Sequence, residues 1–338
     1  MKAAQVSGPG GDFQIVDRPV PQPGLNEVLV QVEACGVCHG DALVKEGGFP
    51  GLTYPRVPGH EIVGRVTELG PGVQLWSVGA RVGVGWHGGH CWRCSACRRG
   101  DFGACESALT TGLSTDGGYG EFTVVRSDVA VALPEDLPAA VLAPLLCAGN
   151  VTFSALRDAG VGGGDLVAIH GLGGLGHLAV QYATRLGCRT VVLSRGKSKE
   201  PLAYQLGAHK YIDANETDPV PVLKAMGGAQ LILSTAPNAR AVSKLVDGLA
   251  HSGKLTLLAF TREPLELPGN QLLVGGRSVA GWVGGNVQRS VAFSLFAGVR
   301  PIVEEFPLER AGEAYEKMMS STVHFRAVLC PTLAPTAK

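Results

Sequence analysis

Apolar and polar positions change rhythm along this 338-residue chain. Through about residue 130 the apolar residues, many of them valine, come in short runs broken by glycine and proline: EVLVQVEACGVC, EIVGRVTELG, RVGVGW and GEFTVVRSDVAVAL. Short alternating segments with turn residues between them predict a compact β domain. From Asp165 the texture changes. DLVAIHG reads as an apolar strand, and Leu175, Leu178, Ala179, Tyr182, Ala183 and Leu186 then fall on one helical stripe. TVVLS comes next as a strand and KEPLAYQLGA as a helix, and HKYID, LILSTA, KLTLLAF and SVAGWV carry the alternation to about residue 283. Strand–helix alternation at this spacing predicts a parallel sheet with helices on both faces. The tail returns to IVEEFPL, a helix ERAGEAYEKMM and a last strand FRAVLC, and is expected to rejoin the first domain. The fold class is therefore α/β, a β-rich domain plus a doubly wound parallel sheet.

Composition narrows the partners. Hydrophobic residues make up 45% and charged residues 17%, as in a globular protein with a substantial core. Lysine plus arginine equals aspartate plus glutamate at 29 each, which argues against nucleic acid or an anionic membrane as partner. The longest apolar stretch, LPAAVLAPLLCAG, is too short and proline-broken to span a bilayer. The opening MKAAQVSGPGGDF lacks the apolar run of an export signal, so a cytoplasmic protein is expected. In that compartment clustered cysteines read as metal ligands before disulfides.

Three constellations carry chemistry. IHGLGGLGHLAVQYA holds Gly171, Gly173 and Gly176 in G-x-G-x-x-G spacing between an apolar strand and an amphipathic helix, the context that marks a dinucleotide turn. Gly171, Gly173, Gly174, Leu175 and Gly176 are the candidate pyrophosphate-binding residues, with the helix N-terminus facing the anion. The next strand should end on a residue that reads the adenosine ribose; here it offers Ser194, then Arg195, Lys197 and Lys199, and no carboxylate. A small hydroxyl beside a guanidinium suits a 2′-phosphate, which favours NADP(H) over NAD(H).

The second constellation is CWRCSACRRGDFGAC, with Cys91, Cys94, Cys97 and Cys105 in a lobe spanning residues 87–106. Four thiolates suit a closed tetrahedral zinc, a structural site. The third is assembled from Cys38, the adjacent His60 and Glu61, and Cys147. Two thiolates and an imidazole leave a fourth position open, the pattern of a catalytic zinc.

Together these motifs, with CGVCHGD, PRVPGHEIVGRV, APLLCAG and FRAVL in order, make the chain resemble the medium-chain, zinc-dependent alcohol dehydrogenases, nearest their shorter microbial branch. The resemblance covers essentially the whole chain. It implies a GroES-like catalytic domain over residues 1–148, a Rossmann domain over 149–285 and a return to the catalytic domain over 286–338. It implies that Cys38, His60 and Cys147 hold the catalytic zinc, with Glu61 a close or transient fourth ligand and Asp41 orienting the His60 ring. It assigns His39 and Arg326 to the cofactor pyrophosphate, and Phe49 and Trp86 to the walls of the alcohol pocket.

The activity it implies is an oxidoreductase exchanging hydride between a small alcohol, or its aldehyde or ketone, and a nicotinamide cofactor, in a dimer or tetramer of identical chains. A carbonyl or enone reductase of the same superfamily, the zinc-free quinone and enone reductases included, and a catalytically weak or inactive zinc- and nucleotide-binding homologue are the alternatives. One departure stands out. The family has serine or threonine, the first member of a proton relay, where this chain has Gly40, and Leu43 stands where a relay histidine is common. Asn150 and Val151 likewise replace a usual valine and threonine. The expectation is a relay-modified enzyme in which water fills the space beside Gly40, and in which Gly40→Ser raises alcohol oxidation or shifts its pH dependence.

Overall fold

A computed structural model describes residues 1–49, 51–261 and 263–333; Pro50 of the GGFPG segment and residues 334–338 of the expected return segment lie outside them. The chain divides into two units. One comprises Met1–Cys147, Val287–Val291 and the chain from Pro301 onward, the other Ala148–Asn286 and Ala292–Arg300. The division expected at 285/286 differs from this because the helix Val287–Ala297 is shared. Its later part belongs with the second unit, where Phe293 stacks on Phe153 at 4.7 Å and Ser294 Oγ lies 2.7 Å from the Tyr182 hydroxyl.

In the first unit a seven-stranded sheet runs Val303–Pro307, Arg326–Cys330, Glu27–Gly36, Ile62–Leu69, Arg81–Val84 and Val131–Ala132, with Phe122–Arg126 also paired to Glu27–Gly36. The alternation read in EVLVQV holds only in part: Val28, Val30 and Val32 are buried and Gln31 is exposed, but Leu29 on the other face is buried too. Each such valine contributes about 1.5–3 kcal/mol by leaving water. Toward the end of the strand the alternation stops, and Ala34, Cys35, Gly36 and Val37 are all buried. Glycines make the covering possible: a β-carbon at Gly59 or Gly118 would lie 2.8 Å from the Cys35 sulfur. The strands Glu27–Gly36 and Ile62–Leu69 pair antiparallel with Cys35 opposite Ile62, so the chain leaving the first strand and the chain entering the second are brought side by side.

The second unit holds six strands in the order Lys210–Asp213, Arg189–Ser194, Leu166–His170, Ala229–Ser234, Leu249–Leu257 and Ser278–Gly281, all parallel. Val167, Ala168 and Ile169 are fully buried, which is why that strand reads as an unbroken apolar run. Strand order reverses between Leu166–His170 and Ala229–Ser234, the kind of place where open parallel sheets receive ligands at the strands' carboxyl ends. The helix Gly176–Arg185 comes next, with Leu178, Ala179, Tyr182 and Ala183 buried as expected; Leu175 precedes it. The helix read in ERAGEAYEKMM starts at Ala311, because Leu308–Arg310 form a tighter turn. Among the described residues no single helix is long and apolar enough to cross a membrane.

Candidate functional site

The strand pairing in the first unit gathers three separated pieces of chain. Cys38 opens the short turn His39–Asp41 after Glu27–Gly36, and His60 and Glu61 directly precede Ile62–Leu69. Cys147 comes directly after the turn Ala143–Leu146. The ligand atoms of Cys38, His60, Glu61 and Cys147 all lie within 4.8 Å of one another. The Cys38 and Cys147 sulfurs are 3.8 Å apart. Two thiolates bound at about 2.3 Å in a tetrahedron stand about 3.8 Å apart, so the pair has the spacing of zinc ligands. His60 Nε2 and Glu61 Oε2 are buried with no hydrogen-bond partner, as expected of atoms that face a cation.

Asp41, fully buried, holds this arrangement. Its Oδ2 accepts from the Cys38 N–H at 2.9 Å and from the Tyr119 hydroxyl at 2.8 Å, and its Oδ1 accepts from the Gly59 N–H at 3.2 Å. Oδ1 also lies 3.1 Å from His60 Nδ1, off the line of a full hydrogen bond. Glu61 Oε1 accepts from the Arg326 guanidinium, and Gly36 lacks the β-carbon that would occupy the Glu61 carboxylate's place. Burial pushes the Glu61 carboxyl up to about 7 against the opposing pull of Arg326. Hydrogen bonding with Cys147, with His60 and Arg326 nearby, holds Cys38 well below the usual thiol range while Cys147 is raised.

Trp86 and Gly40 complete the surroundings, and here one expectation is corrected. The indole stands edge-on to the His60 ring, centroids 4.8 Å apart and planes at 88°. A β-carbon at residue 40 would lie 2.8 Å from Trp86 Cζ3 and 2.8 Å from His60 Cε1. Rings, not open space for water, occupy the volume beside Gly40, so Gly40→Ser is first a steric change. Phe49 is half-buried, and no ring contact joins it to Trp86 among the described residues. Asn150, on the helix Ala148–Asp158, accepts from Ser154 Oγ at 3.3 Å within its own helix.

The four cysteines of the lobe also converge, their sulfurs within 4.8 Å of one another and Cys91 and Cys97 3.9 Å apart. Backbone N–H groups point at them: Cys94 donates to Cys91, and Cys91 and Ser107 donate to Cys105, each at 3.3 Å. The N–H groups of Arg93 and Cys94 pull the Cys91 thiol down to about 6, while burial and neighbouring thiols push Cys97 up to about 12. Four sulfurs this close cannot all ionise without a cation among them, and a tetrahedral zinc fits.

In the second unit each glycine of the turn has its own reason. Gly171 has φ +96, and a β-carbon there would lie 2.8 Å from Thr235 Oγ1. A β-carbon on Gly176 would strike the Gly171 carbonyl, so this glycine lets the helix pack against the strand. Gly173 is exposed and a β-carbon on it would meet nothing within 4 Å. Protein packing does not explain that bare backbone; a ligand approaching it does, and a dinucleotide pyrophosphate fits. Gly174 and Leu175 lead into the helix.

Ser194 ends its strand, and Arg195 after it is exposed. Lys199 Nζ donates to the Leu172 carbonyl at 3.1 Å, across the glycine turn. Asp213, at the end of the neighbouring strand, accepts from the N–H groups of Gly196 at 2.8 Å and Asn215 at 3.0 Å, which occupies the nearby carboxylate in loop structure. His39 is exposed at the start of its turn, whereas Arg326 is only 3% exposed and turned to Glu61. Tyr119, Gly36 and Asp213 were missed by sequence reasoning, since no ligand-type spacing marks them.

Two family models match, "Alcohol dehydrogenase GroES-like domain" over residues 24–135 and "Zinc-binding dehydrogenase" over residues 174–297. The chain is 45% identical over 323 residues to alcohol dehydrogenase notN of Aspergillus sp. (strain MF297-2), covering 95% of each chain. It is 37% identical to an alcohol dehydrogenase of Geobacillus stearothermophilus, covering 97% of this chain and 98% of that one. Among solved structures, a cinnamyl alcohol dehydrogenase of Sorghum bicolor superposes with a TM-score of 0.90 at 29% identity, covering 100% of this chain and 99% of that one.

Proposed function

This chain belongs to the medium-chain, zinc-dependent alcohol dehydrogenases, and from that premise we propose an NADP(H)-preferring enzyme for primary, benzylic or simple secondary alcohols and their carbonyl partners. The observation that carries the zinc chemistry is the 3.8 Å spacing of the Cys38 and Cys147 sulfurs, with His60 Nε2 and Glu61 Oε2 buried beside them and unpartnered. When bound, zinc supplies a Lewis acid that polarises the substrate oxygen, and the nicotinamide supplies the hydride acceptor or donor.

The chain's own residues do the rest. Cys38, His60 and Cys147 hold the metal and leave one position for substrate. Glu61, paired with Arg326, would offer its unpartnered Oε2 as a further ligand. Asp41 keeps Nδ1 of His60 protonated, so that the neutral ring presents Nε2 to the metal. Cys91, Cys94, Cys97 and Cys105 hold a second, structural zinc. In the other unit the bare Gly173 and the N-terminus of Gly176–Arg185 receive the pyrophosphate. Ser194, Arg195 and Lys199 receive the 2′-phosphate; the absence of a carboxylate on Ser194's strand end, with Asp213 engaged by backbone, supports NADP(H). Exposed Leu273, Val274 and Val283, flanking the edge strand Ser278–Gly281, support a homo-oligomer.

The test is metal-replete protein assayed in both directions, with both nicotinamide cofactors, against a graded panel of alcohols and aldehydes. The expected result is turnover with a kcat/KM at least about tenfold higher for NADP(H), about 1.4 kcal/mol of discrimination. No turnover of any member despite normal cofactor binding would instead favour the catalytically weak homologue.

A further inference from the structure

Gly40 raises a question that the relay comparison leaves open: whether the hydroxyl is missing or excluded. We propose that Trp86 and Gly40 form an interlocked pair that positions His60. The indole takes the volume a side chain at residue 40 needs, and the bare backbone at 40 lets the indole seat on the imidazole. The inference rests on reading Cys38, His60 and Cys147 as ligands of the catalytic zinc.

Three observations meet here. The indole is edge-on to His60 at 4.8 Å and 88°, a favourable aromatic geometry. The position of a β-carbon at 40 is 2.8 Å from Trp86 Cζ3, 2.8 Å from His60 Cε1 and 3.2 Å from His60 Nε2. Contacts under 3.0 Å force something to move, and neither ring is a flexible chain end. Nor is φ the reason for the glycine, because Gly40 is not among the positive-φ residues of the chain. His60 is thus held on two sides, with Asp41 at Nδ1 and Trp86 against the ring, and a side chain at 40 would press on the carbon and nitrogen that face the metal. Trp86 is therefore a positioning residue, and Gly40 is the complement that its size requires.

The test uses the protein loaded with both zincs and tracks their release to a chromogenic chelator in wild type, Gly40→Ala, Gly40→Ser, Trp86→Phe and the double variants. The six-membered ring of the indole carries Cζ3, so phenylalanine vacates the contested volume. Both Gly40 variants are expected to lose one zinc about tenfold faster than wild type while keeping the four-cysteine zinc. Alanine and serine should act alike, since the obstacle is the β-carbon and not the hydroxyl. Adding Trp86→Phe should bring release back to within about threefold of wild type. It should also restore the visible absorption of cobalt placed in the catalytic site, which Gly40→Ser alone should shift. Wild-type release and an unshifted cobalt spectrum in Gly40→Ser would overturn the proposal. So would effects of the two substitutions that simply multiply, or a double variant that loses the catalytic zinc as readily as the Gly40 variant. None of these readouts needs turnover. An inert protein with intact Gly40–Trp86 coupling would refute the dehydrogenase reading alone, and uncoupled residues in an active enzyme would refute this inference alone.

Discussion

At the scale of single residues, the candidate metal ligands are held in place by a group outside their set. Asp41 gathers Cys38, Gly59, Tyr119 and His60 on two oxygens, fully buried. Tyr119→Phe removes one donor to that carboxylate and keeps the ring that packs over Gly59. A hydrogen bond to a charged group is worth about 1.5–3 kcal/mol. The variant should therefore fold with a lower thermal midpoint and release catalytic zinc to a chelator roughly tenfold faster, with the lobe zinc unaffected. The ligands themselves were legible in the sequence, because cysteine and histidine beside turn residues are chemically conspicuous. Tyr119 was not, since its role depends on a contact with a residue 78 positions away. Gly40 was legible as a departure, but its cause was hidden because Trp86 reaches it only through the fold.

At the scale of elements, the nucleotide turn separates glycines needed by the protein from one needed by a ligand. Gly171→Ala puts a side chain at φ +96 and Gly176→Ala puts one against a carbonyl, so each should lower stability by about 1–3 kcal/mol in a denaturant titration. Gly173→Ala should unfold at the wild-type denaturant midpoint yet bind cofactor about tenfold more weakly by fluorescence titration. Loss of stability in Gly173→Ala without loss of affinity would mean that the bare backbone serves the fold. Alternation and helical stripes made the strands and the helix Gly176–Arg185 readable, because both patterns arise from one-sided burial. The helix Val287–Ala297 escaped because buried Ser290 and Ser294 and the exposed Phe296 blur any single apolar face.

At the scale of the whole molecule, Leu273 and Val283 are 81% and 78% exposed beside an edge strand that offers unpaired backbone groups. If this edge joins copies of the chain, as proposed, replacing both with glutamate should shift sedimentation velocity to the monomer without altering the zinc content, and unchanged sedimentation would count against this edge. The pairing of Glu61 with Arg326 has a consequence in time. The lobe's sulfurs lie within 15 consecutive positions, Cys91 to Cys105, and emerge from the ribosome almost together. The other centre needs Cys38 and Cys147, and its carboxylate waits for a guanidinium 265 residues later, on a strand hydrogen-bonded beside Glu27–Gly36. The lobe's four sulfurs are thus complete once residue 105 has been made, whereas Glu61 has no guanidinium partner until Arg326 follows.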